Sequence, residues 1–545
     1  MKAHYRILAL LAAATLAQGA PKIARDLEGV DPSKAVDVII QFTHIPGDAD
    51  DAKVRSHGGQ LKQSLRLVNA GLYSIPPGQL KKLAEDPDVK YISPDRPVKA
   101  SLDYARPTVG ADVASSSGWT GAGIGVAVID SGVSNPPDLN LQVAYSQTFN
   151  GFKTAEEYGH GTHVAGIIAG IGKDSSGQYI GIAPGAKIIN LRVLDDSGAG
   201  TDSGVISAIY WAIALKSTYN IRVINLSLGR AVVESYTLDP LCRAVERAWN
   251  AGIVVVAAAG NNGRDNSMGT DGYATIASPA NDPYVIAVGA MKAMGSVSRA
   301  DDLIASYSSK GPTGIDHIVK PDIVAPGNRI VSVSVKGTGI LERDYMSNRV
   351  GAAYFRLSGT SMATPIVSGA AALMIQKDPS LTPDQVKARL MKTATKSFPQ
   401  YSTATDPETG QTYTSQYDIF TVGAGYLDIW AALNNTNVAT GSAKSPGAVF
   451  DSSTNKVSLV FDQGVTWGTG VTWGTGVVWG TSVVSSTGVC WGTGVVWGTG
   501  VTWGTGVTWG TGVTWGTGVV WGTGVVWGTS HPQGESSTIA INGEN

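Results

Sequence analysis

An unbroken apolar run that ends in a carboxylate, Gly123-Ile-Gly-Val-Ala-Val-Ile-Asp130, limits what this chain can fold into more than any other stretch. A strand with one solvated face alternates apolar and polar side chains. A β-branched run without alternation needs cover on both faces, which is the situation of an inner strand in a parallel sheet. The carboxylate at its end falls where open α/β sheets keep their functional groups. Similar strands are expected at 187–194, 222–228, 253–259 and 284–288, with helices at 202–214 and 242–249 between them. This alternation predicts an α/β fold over about 105–436, a doubly wound, mainly parallel sheet with helices on both faces. Further helices are expected at 366–375, after Thr382-Pro383 (a capping threonine and a first-turn proline), and at 423–433 behind a glycine-rich entrance.

Three short segments in this region carry chemistry. In Gly159-His160-Gly161-Thr162-His163-Val164-Ala165-Gly166, glycines leave room for backbone beside an imidazole at the entrance of a buried helix, a suitable place for proton transfer. The same residues also admit a buried structural histidine, or a metal pair of His160 and His163 with Glu156 or Glu157 as third ligand. The run 253–259 leads through Gly260 to Asn261, which places an amide side chain in a tight turn. Ser361 lies in Gly359-Thr360-Ser361-Met362-Ala363-Thr364-Pro365 at the start of a small-residue helix, where free N–H groups and the helix dipole favour a developing anion. Alone, that segment reads as an N-cap.

Together, Val-Ala-Val-Ile-Asp130-Ser-Gly, Gly-His160-Gly-Thr-His-Val-Ala-Gly and Gly-Thr-Ser361-Met-Ala-Thr-Pro resemble the three signatures of the subtilisin-like serine proteases (subtilases, peptidase S8 family), in the family's Asp, His, Ser order. Supporting blocks are Val223-Ile-Asn-Leu-Ser-Leu-Gly229, Ala257-Ala-Ala-Gly-Asn261, Tyr307-Ser-Ser-Lys-Gly-Pro312 and Lys320-Pro-Asp-Ile-Val-Ala-Pro-Gly327. The resemblance implies a serine endopeptidase with Ser361 as nucleophile, His160 as base and then acid, and Asp130 holding the imidazole; Asn261 would donate to the oxyanion. His163 lies outside that triad and is read as structural. Segments Ser197-Gly198-Ala199-Gly200 and Ser227-Leu228-Gly229 would clasp an extended protein or peptide substrate by strand addition, over a pocket floored by Ala258, Gly260 and Ala277. The chemistry requires no cofactor. Structural calcium is frequent in the family, but no ligand set maps onto this sequence, and the lysine-bearing loop 172–177 puts the usual strong site in doubt. Tyr158 stands where the family often has aspartate.

Ahead of this region, 1–19 has the layout of a secretory signal peptide: Lys2 and Arg6, an apolar run over 7–16, then Ala17-Gln18-Gly19. Residues 20–103 predict a small α+β sandwich, two helices on one antiparallel sheet: a strand at 35–42, strand pairs over 65–75 and a last strand at 89–93, with helices at 48–61 and 77–85. The resemblance makes this segment an inhibitor-I9-type propeptide, an intramolecular inhibitor removed by a cut near 95–108, and the whole a secreted (extracellular or periplasmic) zymogen. A net charge of −2, from 41 basic and 43 acidic residues, gives no indication of nucleic acid as partner. Two cysteines in regions of unlike composition, Cys242 and Cys490, give no disulfide framework.

Behind the α/β region a linker is expected at 437–464, then eleven hexapeptide units, Val-(Thr/Val)-Trp-Gly-Thr-Gly, over 465–530, and a tail at 531–545. In extended conformation Val, Trp and Thr would share one face and glycine the other. Packing of the ten tryptophans on one another and binding to a polysaccharide or cell surface both remain open. If the repeat carried the function, the chain would be a surface-binding protein on a vestigial protease fold; an intact triad argues against that. A narrow proprotein processor and a broad scavenger are not separable from sequence.

Overall fold

The computed structural model describes residues 22–24, 27, 34–94, 102–149, 151, 156–267, 269–406, 409–451, 456–460 and 543–544. The signal-peptide and repeat expectations, and Cys490, lie outside them. The chain divides into two compact units, 1–99 and 100–545.

The first unit is a four-stranded antiparallel sheet in the order β2-β3-β1-β4, with β1 Val36–Phe42, β2 Gln60–Leu65, β3 Ala70–Ile75 and β4 Val89–Pro94. Alternate residues of β1 (Val38, Ile40, Phe42) pack with Val54 of helix Asp48–Ser56 and with Leu80 and Leu83 of helix Leu80–Ala84. The helix expected at 48–61 is shorter, because Gly58 takes φ +79° and turns the chain into β2 at Gln60. That at 77–85 opens as a 3₁₀ turn, Pro77–Gln79.

In the second unit the sheet runs β11-β10-β9-β8-β5-β7-β6, with β12 also paired to β10. The strands are β5 Gly125–Asp130, β6 Val143–Thr148, β7 Lys187–Arg192, β8 Ile221–Leu226, β9 Val254–Ala258, β10 Ile286–Lys292, β11 Leu303–Ile304 and β12 Ile323–Pro326. Every pairing is parallel except β10 with β11. Every residue of β5, β9 and β10 is buried, as the absence of alternation required. Helices His160–Ala169 and Thr360–Lys377 pack together and on the sheet, as do Asp202–Ala214 and Pro240–Asn250. β5 is the switch point, with β7 on one side and β8 on the other. The carboxyl ends of β5, β8 and β9, at Asp130, Leu226 and Ala258, therefore share one edge of the sheet.

Two expectations near the end of this unit need correction. Residues 423–433 are not one helix. Gly423 and Gly425 adopt φ +55° and +125°, Tyr426 bridges Val324 and Thr395, and the helix starts only at Ile429, capped by the Asp428 carboxylate. Nor are the described residues of 437–464 a free linker. Strands Gly447–Asp451 and Lys456–Val460 form a hairpin within the second unit, with Val319 N–H donating to Pro446 O (2.8 Å) and Ala448 N–H to His317 O (2.7 Å). Just ahead of it, Ser445 enters a buried ionic network with Asp322, Lys320 and Lys387. Among the described residues no helix is long and apolar enough to cross a membrane.

Candidate active site

The last residue of β5 sets the first part of the site. Asp130 is fully buried, and its Oδ1 accepts from Ser131 N–H (2.7 Å) and lies 2.7 Å from His160 Nδ1. This contact fixes the tautomer, since the carboxylate can only accept: the proton is on Nδ1, leaving Nε2 with a lone pair. The His160 side chain keeps 17% of its surface exposed. Its helix begins at Gly159 (φ +105°), and the N-terminal amides are satisfied by Glu156: Oε1 accepts from Gly159 N–H (2.7 Å), and Oε2 from Thr162 N–H (3.3 Å) and Thr162 Oγ1 (2.7 Å). Ser131 Oγ donates to Glu156 (3.2 Å) and accepts from Gly161 N–H (2.9 Å), which ties the β5 turn to the histidine helix.

Ser361 sits in the first turn of helix Thr360–Lys377, half-buried. Its hydroxyl donates to Ser227 O (3.2 Å), while Ser227 Oγ donates to Ser361 O (2.8 Å). The serine is thus hydrogen-bonded to the segment after β8 and not to His160; such bonds often tighten only when substrate is bound. Asn261 lies at the turn after β9. Its Oδ1 accepts from both Thr360 N–H (2.9 Å) and Thr360 Oγ1 (3.1 Å). The backbone donor identifies that atom as the oxygen, so the amide NH2 is the group left to donate. Gly359 (φ +138°) lies against this amide; a Cβ there would stand 3.2 Å from Asn261 Nδ2.

A buried carboxylate on a histidine, a serine at a helix N-terminus and an amide donor on one sheet edge are the parts of a nucleophilic acyl-transfer site. The comparisons agree. The chain matches the Subtilase family (Peptidase_S8) over residues 121–411. The chain belongs to the subtilases. It is 39% identical over 377 residues to serine protease AprX of Bacillus subtilis, covering 66% of this chain and 83% of that protein. It is 36% identical over 349 residues to subtilisin E of the same organism (63% and 80%), and 35% over 370 residues to a thermostable alkaline protease of Halalkalibacterium halodurans (68% and 83%). It is a serine-type endopeptidase.

In this subtilase, burial opposes charging His160, but the Asp130 charge, its hydrogen bond and the Glu156 charge outweigh that and raise the imidazole above its ordinary value. His163 behaves oppositely. Its Nε2 donates to Ile330 O (3.1 Å) and Phe355 O (3.0 Å), and burial, with the charge of His160, pushes it down to about 3. These two bonds hold His163 Nε2 inside the core, as in a buried structural histidine. Among the described residues no three His, Cys, Asp or Glu side chains converge as a metal site would need. In the 172–177 loop Asp174 pairs with Lys336 (3.3 Å), and the nearby Asp138 carboxylate accepts from Asp174 N–H (2.9 Å) and Tyr354 OH. Cys242 is a buried free thiol.

The expected substrate segments border the same edge. Asp195 organises Ser197–Gly200 through its carboxylate, which accepts from Ser197 N–H (2.8 Å), Ser197 Oγ (2.6 Å) and Ala199 N–H (3.0 Å). Ala199, Gly200 and Gly229 are exposed and Leu228 is half-buried. The chain after Gly229 pairs with the Ala277 segment, Arg230 N–H to Ser278 O (3.0 Å) and Ser278 N–H to Arg230 O (2.8 Å), while Ala277 N–H donates to Ala259 O (2.9 Å). Ala258 is buried, and a Cβ on Gly260 would come within 3.4 Å of Ala277 Cβ. Sequence reasoning missed the role of Tyr158. Its ring lies 6.5 Å from that of His160, and a Cβ on Gly198 would meet it at 2.7 Å, so it stands between the histidine and the Ser197–Gly200 edge.

Proposed function

We propose that this subtilase cleaves peptide bonds through an acyl-enzyme formed on Ser361, with His160 taking the Ser361 proton and passing it to the leaving amine. Asp130 holds the imidazole and stabilises the imidazolium, and Asn261 with the Ser361 N–H binds the oxyanion. The reading rests chiefly on the 2.7 Å His160–Asp130 bond at the sheet edge that also carries Ser361 and Asn261. Ser197–Gly200 and Ser227–Gly229 bind the substrate backbone, Ala258, Gly260 and Ala277 floor the first side-chain pocket, and Tyr158 forms a wall. A small, uncharged floor favours apolar or unbranched side chains. The enzyme is exported and made as a self-processing zymogen whose first unit blocks the cleft. Helix Leu102–Thr108 is a poor substrate, with Ala105 and Arg106 buried and Arg106 donating to Gly181 O (3.2 Å), so the cut falls in 95–101. For the repeat, packing of its tryptophans on one another is the favoured reading, and contact with a cell surface or polysaccharide the second.

The test compares wild type with Ser361→Ala on a peptide library, with mass spectrometry of both chains. The wild type is expected to cleave peptides and to lose its first ~100 residues, and the variant to stay inert and full-length. Equal behaviour of the two would refute the mechanism.

A further inference from the structure

Beyond the repeat, Gly543 and Glu544 lie in a pocket of the catalytic unit. Glu544 is 6% exposed. Its Oε1 accepts from Arg264 Nη2 (2.9 Å), Ser306 N–H (2.9 Å) and Ser306 Oγ, and its Oε2 lies 3.8 Å from Lys292 Nζ. Arg264 and Lys292 are themselves nearly buried. The Glu544 backbone is read as well: Asn328 Nδ2 donates to Glu544 O (2.9 Å), and Glu544 N–H donates to Asn328 Oδ1 (2.8 Å). Gly543 adopts φ +68°, and a Cβ there would stand 2.4 Å from Ser358 Oγ and 2.7 Å from Arg329 Cγ. The pocket therefore selects a glycine, a carboxylate side chain and the peptide unit that joins them. Two buried cations are strongly unfavourable unless anions meet them, and besides Glu544 the Asp406 carboxylate pairs with Arg264 (2.9 Å).

The pocket also touches the supports of the oxyanion site. Arg264 follows Asn261 by three residues on one loop, and that loop is fastened to the Ser306 segment by Gly263 N–H to Tyr307 O (2.8 Å) and Ser309 N–H to Gly260 O (3.0 Å). Asn328 adjoins Gly327, whose carbonyl accepts from Gly359 N–H (2.8 Å), beside the Asn261 amide.

We propose that Arg264, Lys292, Ser306 and Asn328 form a binding site for a Gly-Glu peptide element, that Gly543–Glu544 is its intramolecular ligand, and that seating it steadies the 260–264 loop. The repeat is then attached to the catalytic unit at both ends, through the hairpin strand Lys456–Val460 and through this pocket.

The test uses the full chain with Ser361→Ala, so that no self-cleavage intervenes, and with a recognition site for a specific exogenous protease replacing one repeat unit. After cutting, the fragment bearing Glu544 is expected to stay with the body on native mass spectrometry. Glu544→Lys, which reverses the charge, and Gly543→Val, which blocks seating by size alone, should each weaken retention by about 10²-fold. In the uncut protein both variants should speed amide hydrogen exchange across 260–264. Release of the unaltered fragment, or retention of both variants as tightly as the unaltered one, would overturn the assignment. Unchanged exchange would overturn the coupling to the loop.

Discussion

Asn261 carries two separable tasks, and substitution can divide them. Its Oδ1 serves the Thr360 N–H and hydroxyl, and only its NH2 remains for a substrate oxyanion. Asn261→Asp keeps an acceptor for Thr360 but removes the donor and turns a negative charge toward the oxyanion. Losing one such donor weakens transition-state binding by ~3–4 kcal/mol, or ~10²–10³ in kcat, and the added charge pushes the loss to the upper end or beyond. Asn261→Leu also removes the acceptor. Thr360 is fully buried, so its N–H loses its partner, which costs a further ~1–3 kcal/mol of stability. The expected pattern is therefore crossed. The Asp variant is the slower enzyme and the more stable protein; the Leu variant is the faster of the two and the less stable. Steady-state kinetics on a chromogenic peptide gives kcat and KM, and urea unfolding in a Ser361→Ala background gives stability. KM should change little, because the donor acts on the transition state. An Asp variant within about threefold of wild-type kcat would refute the oxyanion assignment.

Asp130→Asn should lower kcat/KM by ~10⁴, because an amide can no longer hold the required tautomer. Since the Asp130 charge keeps His160 above its ordinary value, the acid limb of the residual activity should move to lower pH; an unmoved limb would contradict the 2.7 Å pairing. His163 makes stability depend on pH in a defined direction. Its folded value of about 3 lies below the unfolded one, so its contribution is complete above pH ~6.5 and is lost as pH falls toward 3, by roughly 4–5 kcal/mol in all. His163→Gln should flatten that acid limb in urea unfolding at pH 7 and 4.5, and an identical slope would rule the histidine out as its source. Tyr158→Ala should change which side chains are accepted next to the scissile bond while leaving kcat on the best substrate within about tenfold, read from the same peptide library; an unchanged preference would remove Tyr158 from the cleft wall.

The inner strands were legible because burial on both faces leaves no alternation to misread. The helix Asp202–Ala214 matched its expected range because Thr201 caps it through Gly204 N–H (3.4 Å), a signal contained in a few residues. Errors arose where local pattern and long-range pairing disagree. Residues 423–427 read as a helix entrance, yet their backbone groups are taken by Val324 and Thr395. The hairpin strands Gly447–Asp451 and Lys456–Val460 are short, and what holds the chain there is Ser445 on Asp322 and Lys387 and backbone bonds to His317 and Val319, all far away in sequence. Glu156 was considered only as a metal ligand. Its work as a helix cap is local, on Gly159 three residues on and Thr162 six residues on; only the bond from Ser131 comes from far away in sequence. Glu544 could not have been assigned at all, because its partners are spread from Arg264 to Asn328.

The glycines of the site motifs, which marked the residues in the sequence, prove to be sites of close approach. A Cβ on Gly161 would stand 2.1 Å from Gly132 O, so the histidine helix and the β5 turn can meet only if that position is bare. A Cβ on Gly263 would stand 2.1 Å from Ser308 O, which presses the Asn261 loop against the 306–309 segment in the same way. Asp130–His160 and Asn261–Thr360 are thus set by backbone contact on each side of the cleft, before any substrate arrives. Ser361 alone is differently placed, since its hydroxyl rests on Ser227 O. A neutral bond of 3.2 Å is worth only ~0.5–1.5 kcal/mol net, little beside the ~3–4 kcal/mol that one oxyanion donor returns in the transition state. The geometry that is hard to assemble is therefore built into the fold, and the bond that the nucleophile must give up is a weak one.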